Sequence, residues 1–373
     1  MPGATDLVSL VVFPFKEEDI SVMTANLLTA ATHERVDEVW AVAADEGAMM
    51  ADVEDAAATV ASSTGIPIEV FPQGRIGIYR SGKGDGMNTA LALSAERGFD
   101  RTHFYDADIT NFDPTWIDGA EFAADRGYGV VRHRFPRAAT DAMITWMVTR
   151  PGLAHLFPGT LLPRLGQPLG GEILLDRAAV EALAGNERVR ERSDWGIDTV
   201  ITHATALLDL GIYEHNAPDG KRHALYGSLI DIRDMVLECL DAVAKLEGSP
   251  DPAAGFEADP ATEAPMDLKE TVAYDVSATR RSIDHPVSES ERVILQSLGI
   301  DLPGPMEVDA EKWRTVLPQL MERFDLGDET WRDVVFRLWV ERVIHYTTYQ
   351  VPLGYDAAMA YLETTVREFE TGQ

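Results

Sequence analysis

The sequence predicts an α/β domain on a mostly parallel central sheet, followed by an all-helical region. Apolar, β-branched runs alternate with helical stretches from the N-terminus onward. Those runs are continuous, as strands covered on both faces are. After about Ser288 the apolar residues recur at helical spacing only.

The elements follow in order. "LVSLVVFPF" (7–15) reads as a buried strand, and a helix runs on to about Ala31. "VDEVWAVAA" (36–44) is a second strand. The alanine-rich stretch 49–65 is a helix ending on Gly65. "IPIEVFP" (66–72) is a third strand, and "GDGMNTALALSAERG" (84–98) opens on glycines and continues as a helix. "THFYDAD" is the fourth strand, and 114–127 is a helix with Pro114 in its first turn. Strands at 128–135, 170–177 and 211–217 and helices near 138–149 and 196–210 extend the pattern. A long helix from about Ser228 to Lys245 closes it. The expected division is a catalytic domain over 1–246, a linker or surface excursion over 247–287, and a helical region over 288–373. The stretch 247–270 is rich in Pro, Ala, Gly and acids, which argues for a linker. In the C-terminal region, Trp331, Phe336, Trp339, His345 and Tyr346 form a stripe that reads as helix-packing core.

Charge narrows the function. With 62 acidic and 32 basic residues among 373, the formal net charge is -30. Nucleic acid and anionic lipid are therefore not expected partners. The excess acid reads as a solvated, self-repelling surface, with adaptation to a salty interior as the alternative. A single cysteine, Cys239, suits a reducing compartment. The N-terminal stretch has no basic leader and no apolar run long enough to span a bilayer, so a cytoplasmic protein is expected.

The chemistry concentrates in a few stretches. In "HFYDADIT" (103–110), Asp106 and Asp108 stand where a strand leaves the core. Two like charges there invite a cation, and ligands in such sheets bind beyond the carboxyl ends of the strands. The bare pattern also suits a turn cap beside a solvated acid. "GIYRSGKGDGMN" (77–88) nearly matches a P-loop, but Gly84 stands where Ser or Thr would bind Mg²⁺. It offers amides, Lys83 and a helix start to an anion, or it is simply a turn. In "RHRFPRAATDAMITW" (132–146), Arg137 is placed to grip a carboxylate, unless the cluster only forms surface ion pairs. Asp194 and Asp198 flank Trp195-Gly196; one suits a sugar hydroxyl or an anomeric centre, and Asp194 equally suits a helix cap. His223 lies in a loop and is a metal ligand only if the fold brings Asp108 to it.

These stretches together resemble the mannosylglycerate synthase family, retaining glycosyltransferases with a GT-A-type fold. The resemblance runs through "SLVVFPFK", "GKGDGMNTAL", "HFYDADIT", "GYGVVRHRFPRA", "TDAMITWM", "QPLGGEILL", "RSDWGIDT" and "LYG". It resumes at "LWVERVIHYT" and "GYDAAMAYL" and is weakest across 247–290. It implies transfer of mannose from GDP-mannose to the 2-hydroxyl of D-glycerate, with the α configuration kept. The product would be 2-O-α-mannosylglycerate, a compatible solute. It implies a divalent cation (Mg²⁺, Mn²⁺ or Ca²⁺) on Asp108 and His223. Pro14, Lys16, Gln73, Lys83 and Asp106 match the nucleotide-sugar site, and Asp198 and Tyr226 match residues near the transferred sugar. Arg137, Thr145 and Leu169 match the acceptor pocket, with Met235 in a segment beside it. Asp198, Arg137 and Lys83 are the residues implied in catalysis. One departure is Gly74 in "QGRIG" (73–77), where the family pattern has glutamate; it bears on donor preference. A related transferase using glucose or 3-phosphoglycerate, and a non-catalytic sugar-nucleotide sensor, are the alternatives. The C-terminal helices suit either a second lobe or a homo-oligomer interface.

Overall fold

The computed structural model describes residues 7–223, 227–262, 275–301 and 306–372. Tyr226 lies outside the described residues. The chain forms two compact units.

The first unit comprises residues 1–136, 169–224 and 253–265. Its strands are β1 (Ser9–Phe15), β2 (Glu38–Ala43), β3 (Ile68–Pro72), β4 (Arg101–Phe104), β5 (Val130–Arg134), β6 (Ile173–Asp176), β7 (Ile212–Asn216) and β8 (Phe256–Ala258). They form one sheet in the order β3-β2-β1-β4-β6-β5-β7-β8. All neighbours are parallel except β6, which runs antiparallel to both β4 and β5. The expected mostly parallel sheet is thus the one observed, with β6 reversed.

Period-two alternation decides which helix covers which side. Val11, Phe13 and Phe15 of β1 join a core with α1 (Ile20–Ala31), α2 (Ala48–Thr64) and α4 (Pro114–Asp125). Leu10 and Val12 face the other way and are also fully buried. That second side belongs to α3 (Lys83–Arg97), which packs with α6 (Arg177–Ala184), α7 (Glu187–Glu191) and α8 (Ile197–Leu207). Local chemistry sets the ends: Gly65 and Gly98 close α2 and α3 in the left-handed region, and Asp113 caps α4 ahead of Pro114. Pro14 is tolerated inside β1 because β4 pairs with β1 only as far as Val12 opposite Phe104.

The stretch expected as a linker contributes β8 at the sheet edge. Asp259, just beyond it, accepts hydrogen bonds from His215 Nδ1 at 2.9 Å, from the Asn216 amide at 3.0 Å and from the Tyr213 hydroxyl. These side-chain bonds anchor a strand whose composition signals only loop.

The second unit comprises 137–168, 225–252 and 266–373. It contains α5 (Arg150–Leu156), α9 (Arg233–Ala244), α10 (Val276–Arg281), α11 (Glu289–Ser297), α12 (Ala310–Arg323), α13 (Glu329–Tyr349) and α14 (Tyr355–Thr371). A π-helical turn, Thr145–Thr149, leads into α5. Of the aromatic stripe, Phe336, Trp339 and Tyr346 are buried as expected, while Trp331 and His345 are half-buried. The Tyr346 hydroxyl donates to Ala139 O at 2.8 Å, and Trp313 Nε1 donates to Met147 O at 2.7 Å. No helix of the described residues is long and apolar enough to cross a membrane.

Candidate active site

The carboxyl ends of β1, β3, β4 and β7 converge with the start of α3 and the start of α8. β6 adds to this edge because it runs backwards: Ile173 pairs with Phe104, so residues 170–172 lie beside the loop that leaves β4.

A chain of ion pairs fills this edge. Lys83 Nζ lies 2.7 Å from Asp106 Oδ1 and 3.1 Å from Asp198 Oδ2. Lys221 Nζ lies 2.5 Å from both Asp106 Oδ2 and Glu172 Oε1. Three acids therefore share two ammonium groups in a largely buried setting, where an uncompensated charge would be costly. Arg132, also buried, donates to Gly170 O at 2.8 Å.

Burial works against the charged state of Lys83, but Asp106, Asp198 and Glu172 outweigh it and hold the ammonium firmly protonated. Burial also opposes ionised Asp106, yet Lys221 and Lys83 keep its carboxyl well below the usual range. For Asp198 and Glu172 burial wins, and both lie above the ordinary carboxyl value. The two groups of acids are thus separated in proton affinity within one network.

Asp108 and His223 meet beside this network. His223 Nδ1 lies 3.9 Å from Asp108 Oδ2. That gap is too long for a hydrogen bond. The gap is less than twice a metal–ligand bond of roughly 2.1 Å, so there is room for one ion to touch both atoms. Among the described residues no group of three or more His, Cys, Asp or Glu side chains is arranged to hold a metal, so a cation here would draw its other oxygens from substrate and water. Glu18, on the loop after β1, is pushed up to about 7 by burial and by the nearby charge of Asp108.

Pro14 and Gln73 border the first turn of α3, where a Cβ on Gly86 would lie 3.5 Å from Pro14 Cβ and 3.1 Å from Gln73 Oε1. Lys16 is exposed on the loop after β1. Asp85 holds part of the glycine-rich stretch in place. The amides of Ile76 and Gly77 both donate to Asp85 Oδ1 at 3.0 Å, and the Asp85 amide donates to Gly82 O and Ser193 O. Gly77 and Gly84 are there for close packing: a Cβ on either would lie 2.4 Å from a backbone oxygen of the 191–192 turn. From this stretch the Lys83 ammonium reaches the ion-pair network.

Asp194 is not the cap of α8, whose N-cap is Gly196; it accepts from Gly196 N at 2.9 Å in the turn ahead of the helix and from Arg192 Nε at 2.7 Å. Arg132 and His133 are 1% exposed, so neither belongs to a surface ion-pair cluster.

The residues expected around the acceptor are divided between the units. Leu169 is half-buried in the first. In the second, Arg137 pairs with Asp141 at 3.0 Å, Thr145 is buried at the start of the π-helical turn, and Met235 is half-buried in α9.

Glu172, Lys221 and Trp195 escape the sequence reading as site residues. Lys83 Nζ lies 5.8 Å from the centre of the half-buried Trp195 ring. Only position hints at the first two: Glu172 follows Gly170-Gly171, and Lys221 lies two residues before His223.

Comparison with known proteins identifies the family. Residues 9–245 match the family model "Mannosylglycerate synthase, GT domain", and residues 269–366 match "Mannosylglycerate synthase C-terminal domain". The chain is 44% identical to the mannosylglycerate synthase of Rhodothermus marinus, over 95% of this chain and 92% of that one. It is 42% identical to that of Selaginella moellendorffii, over 96% and 89%. Among solved structures, glucosyl-3-phosphoglycerate synthase from Mycobacterium tuberculosis, in complex with Mn²⁺, UDP and glucosyl-3-phosphoglycerate, shares the fold. The TM-score is 0.51 at 21% identity, covering 66% of this chain and 82% of that one. The same enzyme has been solved with Mg²⁺ and UDP. The chain belongs to the mannosylglycerate synthase family of glycosyltransferases.

Proposed function

We propose that this glycosyltransferase makes 2-O-α-mannosylglycerate, moving mannose from GDP-mannose to the 2-hydroxyl of D-glycerate with the α configuration kept. The observation that carries the reading is the approach of His223 to Asp108 beside the Lys83–Asp106–Asp198 network, in a chain 44% identical to a mannosylglycerate synthase. The matched spans 9–245 and 269–366 support a catalytic region over 1–246 and a helical one after 288. Cys239, single and buried, suits the cytoplasm.

Asp108 and His223 would hold a divalent cation, whose charge offsets that of the diphosphate as the sugar–phosphate bond breaks. The Mn²⁺ and Mg²⁺ complexes of the fold relative support an ion of this kind. Lys83 fixes the orientations of Asp106 and Asp198 at once, so both carboxylates are set before substrate arrives. Asp106 is the partly exposed one of the pair and is ionised, which suits it to accept from a sugar hydroxyl. Asp198 stands at the first turn of α8, tied to Lys83 through Oδ2, and is the acid assigned to the anomeric centre. This ion pair and a raised proton affinity make it a poor free nucleophile. We therefore favour front-face displacement, in which the departing phosphate takes the acceptor proton.

Arg137 is assigned to the glycerate carboxylate, with Asp141 steadying its guanidinium. Thr145, Leu169 and Met235 complete the proposed acceptor set. The π-helical turn at Thr145 supports this, since such turns recur at functional sites. Burial of Arg132 and His133 leaves Arg134 as the accessible cation of that strand, which favours glycerate over a phosphorylated acceptor.

The test is purified protein with GDP-mannose and D-glycerate, with and without chelator, read by product mass and sugar configuration. A parallel panel replaces mannose by glucose and glycerate by 3-phosphoglycerate. Chelator-sensitive α-mannosylglycerate is expected. GDP binding without turnover on any pair would instead support a sensor.

A further inference from the structure

We infer that Asn111 is a positioning residue, which clamps the loop after β7 so that His223 stands opposite Asp108. The inference rests on the assignment of Asp108 and His223 as cation ligands.

The sheet does not by itself bring these two side chains together. Asp108 follows β4 and His223 follows β7, and β6 and β5 lie between those strands. Three inter-strand steps separate the two, about 14 Å at the usual spacing. Some device must draw the loops over that distance and fix their register.

The structure supplies it as a ladder made partly of side chains. Asn111 Nδ2 donates to Gly220 O at 2.9 Å, while Asn111 Oδ1 accepts from the Arg222 amide at 2.8 Å. One carboxamide thus satisfies a carbonyl and an amide on either side of residue 221. The Thr110 amide donates to Arg222 O at 2.8 Å, and the Thr110 hydroxyl donates to the same oxygen at 3.1 Å. Gly220, at φ 73, takes the left-handed turn that brings the loop back over the β4 end. The result is a matched register: Lys221 meets Asp106, and His223 meets Asp108, each two residues further on.

Asn111 bonds to the backbone of this loop and makes no hydrogen bond to Asp106, Asp108 or His223. Its effect on the ion therefore passes through loop geometry. Groups that orient a metal ligand from outside its coordination shell typically change affinity by roughly 10- to 100-fold.

The experiment titrates Mn²⁺ against the full-length protein in the presence of GDP, following free Mn²⁺ by electron paramagnetic resonance. Wild type, His223→Ala, Asn111→Ala and Asn111→Asp are compared, and thermal unfolding of each is measured in chelator. Asn111→Asp keeps the size and the acceptor for the Arg222 amide but loses the donor to Gly220, so it decides the matter should the alanine variant not fold. The expected result is a Mn²⁺ affinity lower by ~10- to 100-fold in the Asn111 variants. Their chelator melting temperature should stay near that of wild type, with turnover recovered at saturating Mn²⁺. Wild-type affinity in the Asn111 variants overturns the inference alone, as does a weakening matched by general loss of thermal stability. Failure of wild type to bind Mn²⁺, or wild-type affinity in His223→Ala, overturns the ligand assignment and the clamp together.

Discussion

A Cβ on residue 171 would lie 2.3 Å from Lys83 Nζ, so Gly171 is what lets the ammonium reach Asp106. Gly171 is needed for the space its missing side chain leaves; its backbone is not among the positive-φ glycines. Gly171→Ala is expected to push Lys83 off both carboxylates and lower kcat by roughly 100-fold, the usual effect of a misplacement near 1 Å. Steady-state kinetics beside a melting curve checks this. Wild-type kcat in a folded variant would show that the Lys83–Asp106 contact is not needed.

Asp108→Asn and His223→Ala should each abolish the chelator-sensitive part of the activity. Calorimetry with Mn²⁺ and GDP should show the ion affinity lost in both, while GDP alone binds with little change. Retained ion affinity in either variant would remove that residue from the site.

Asp198→Ala should lower kcat by about 100- to 1,000-fold, as the loss of one preorganised electrostatic group does. Lys83 loses one of its acids but keeps Asp106. Intact-mass spectrometry after mixing wild type or variant with GDP-mannose should show no added hexose. An adduct that accumulates would replace front-face displacement by a covalent route.

Glu121 is a stability element outside the ion-pair network of the site. Its carboxylate accepts from His103 Nε2 at 2.9 Å, from the Ser9 hydroxyl at 3.1 Å and from Arg101. Burial opposes its ionised form, but His103 and Arg101 prevail and lower it from 4.5 to about 2. The unfolded chain therefore binds the extra proton first as pH falls. The stabilisation is fully present above about pH 4.5 and is lost as pH drops toward 2. It is worth on the order of 3 kcal/mol at neutral pH. Denaturant melts of wild type and Glu121→Gln across pH 2 to 7 should show the variant destabilised at pH 7 and lacking most of this acid slope. Parallel slopes would show that other carboxylates set acid stability.

The sequence by itself determined the alternation of strands and helices, the acids at the end of β4, the helical C-terminal region and the family. All of these are written in local patterns: period two or three-and-a-half, turn residues, or long matched blocks. It marked Asp106, Asp108 and His223 as candidates but could not bring them together. Lys221 and Asp106 are 115 residues apart, and their meeting depends on strand order and loop register. Glu172 joins them only because β6 is reversed, and its sequence reads like that of any other buried strand. In the glycine-rich stretch, tertiary packing gave the amide of Gly77, with that of Ile76 before it, to Asp85. Periodicity reports burial one element at a time, whereas a buried charge finds its partners across the sheet, and only the folded chain fixes which ones.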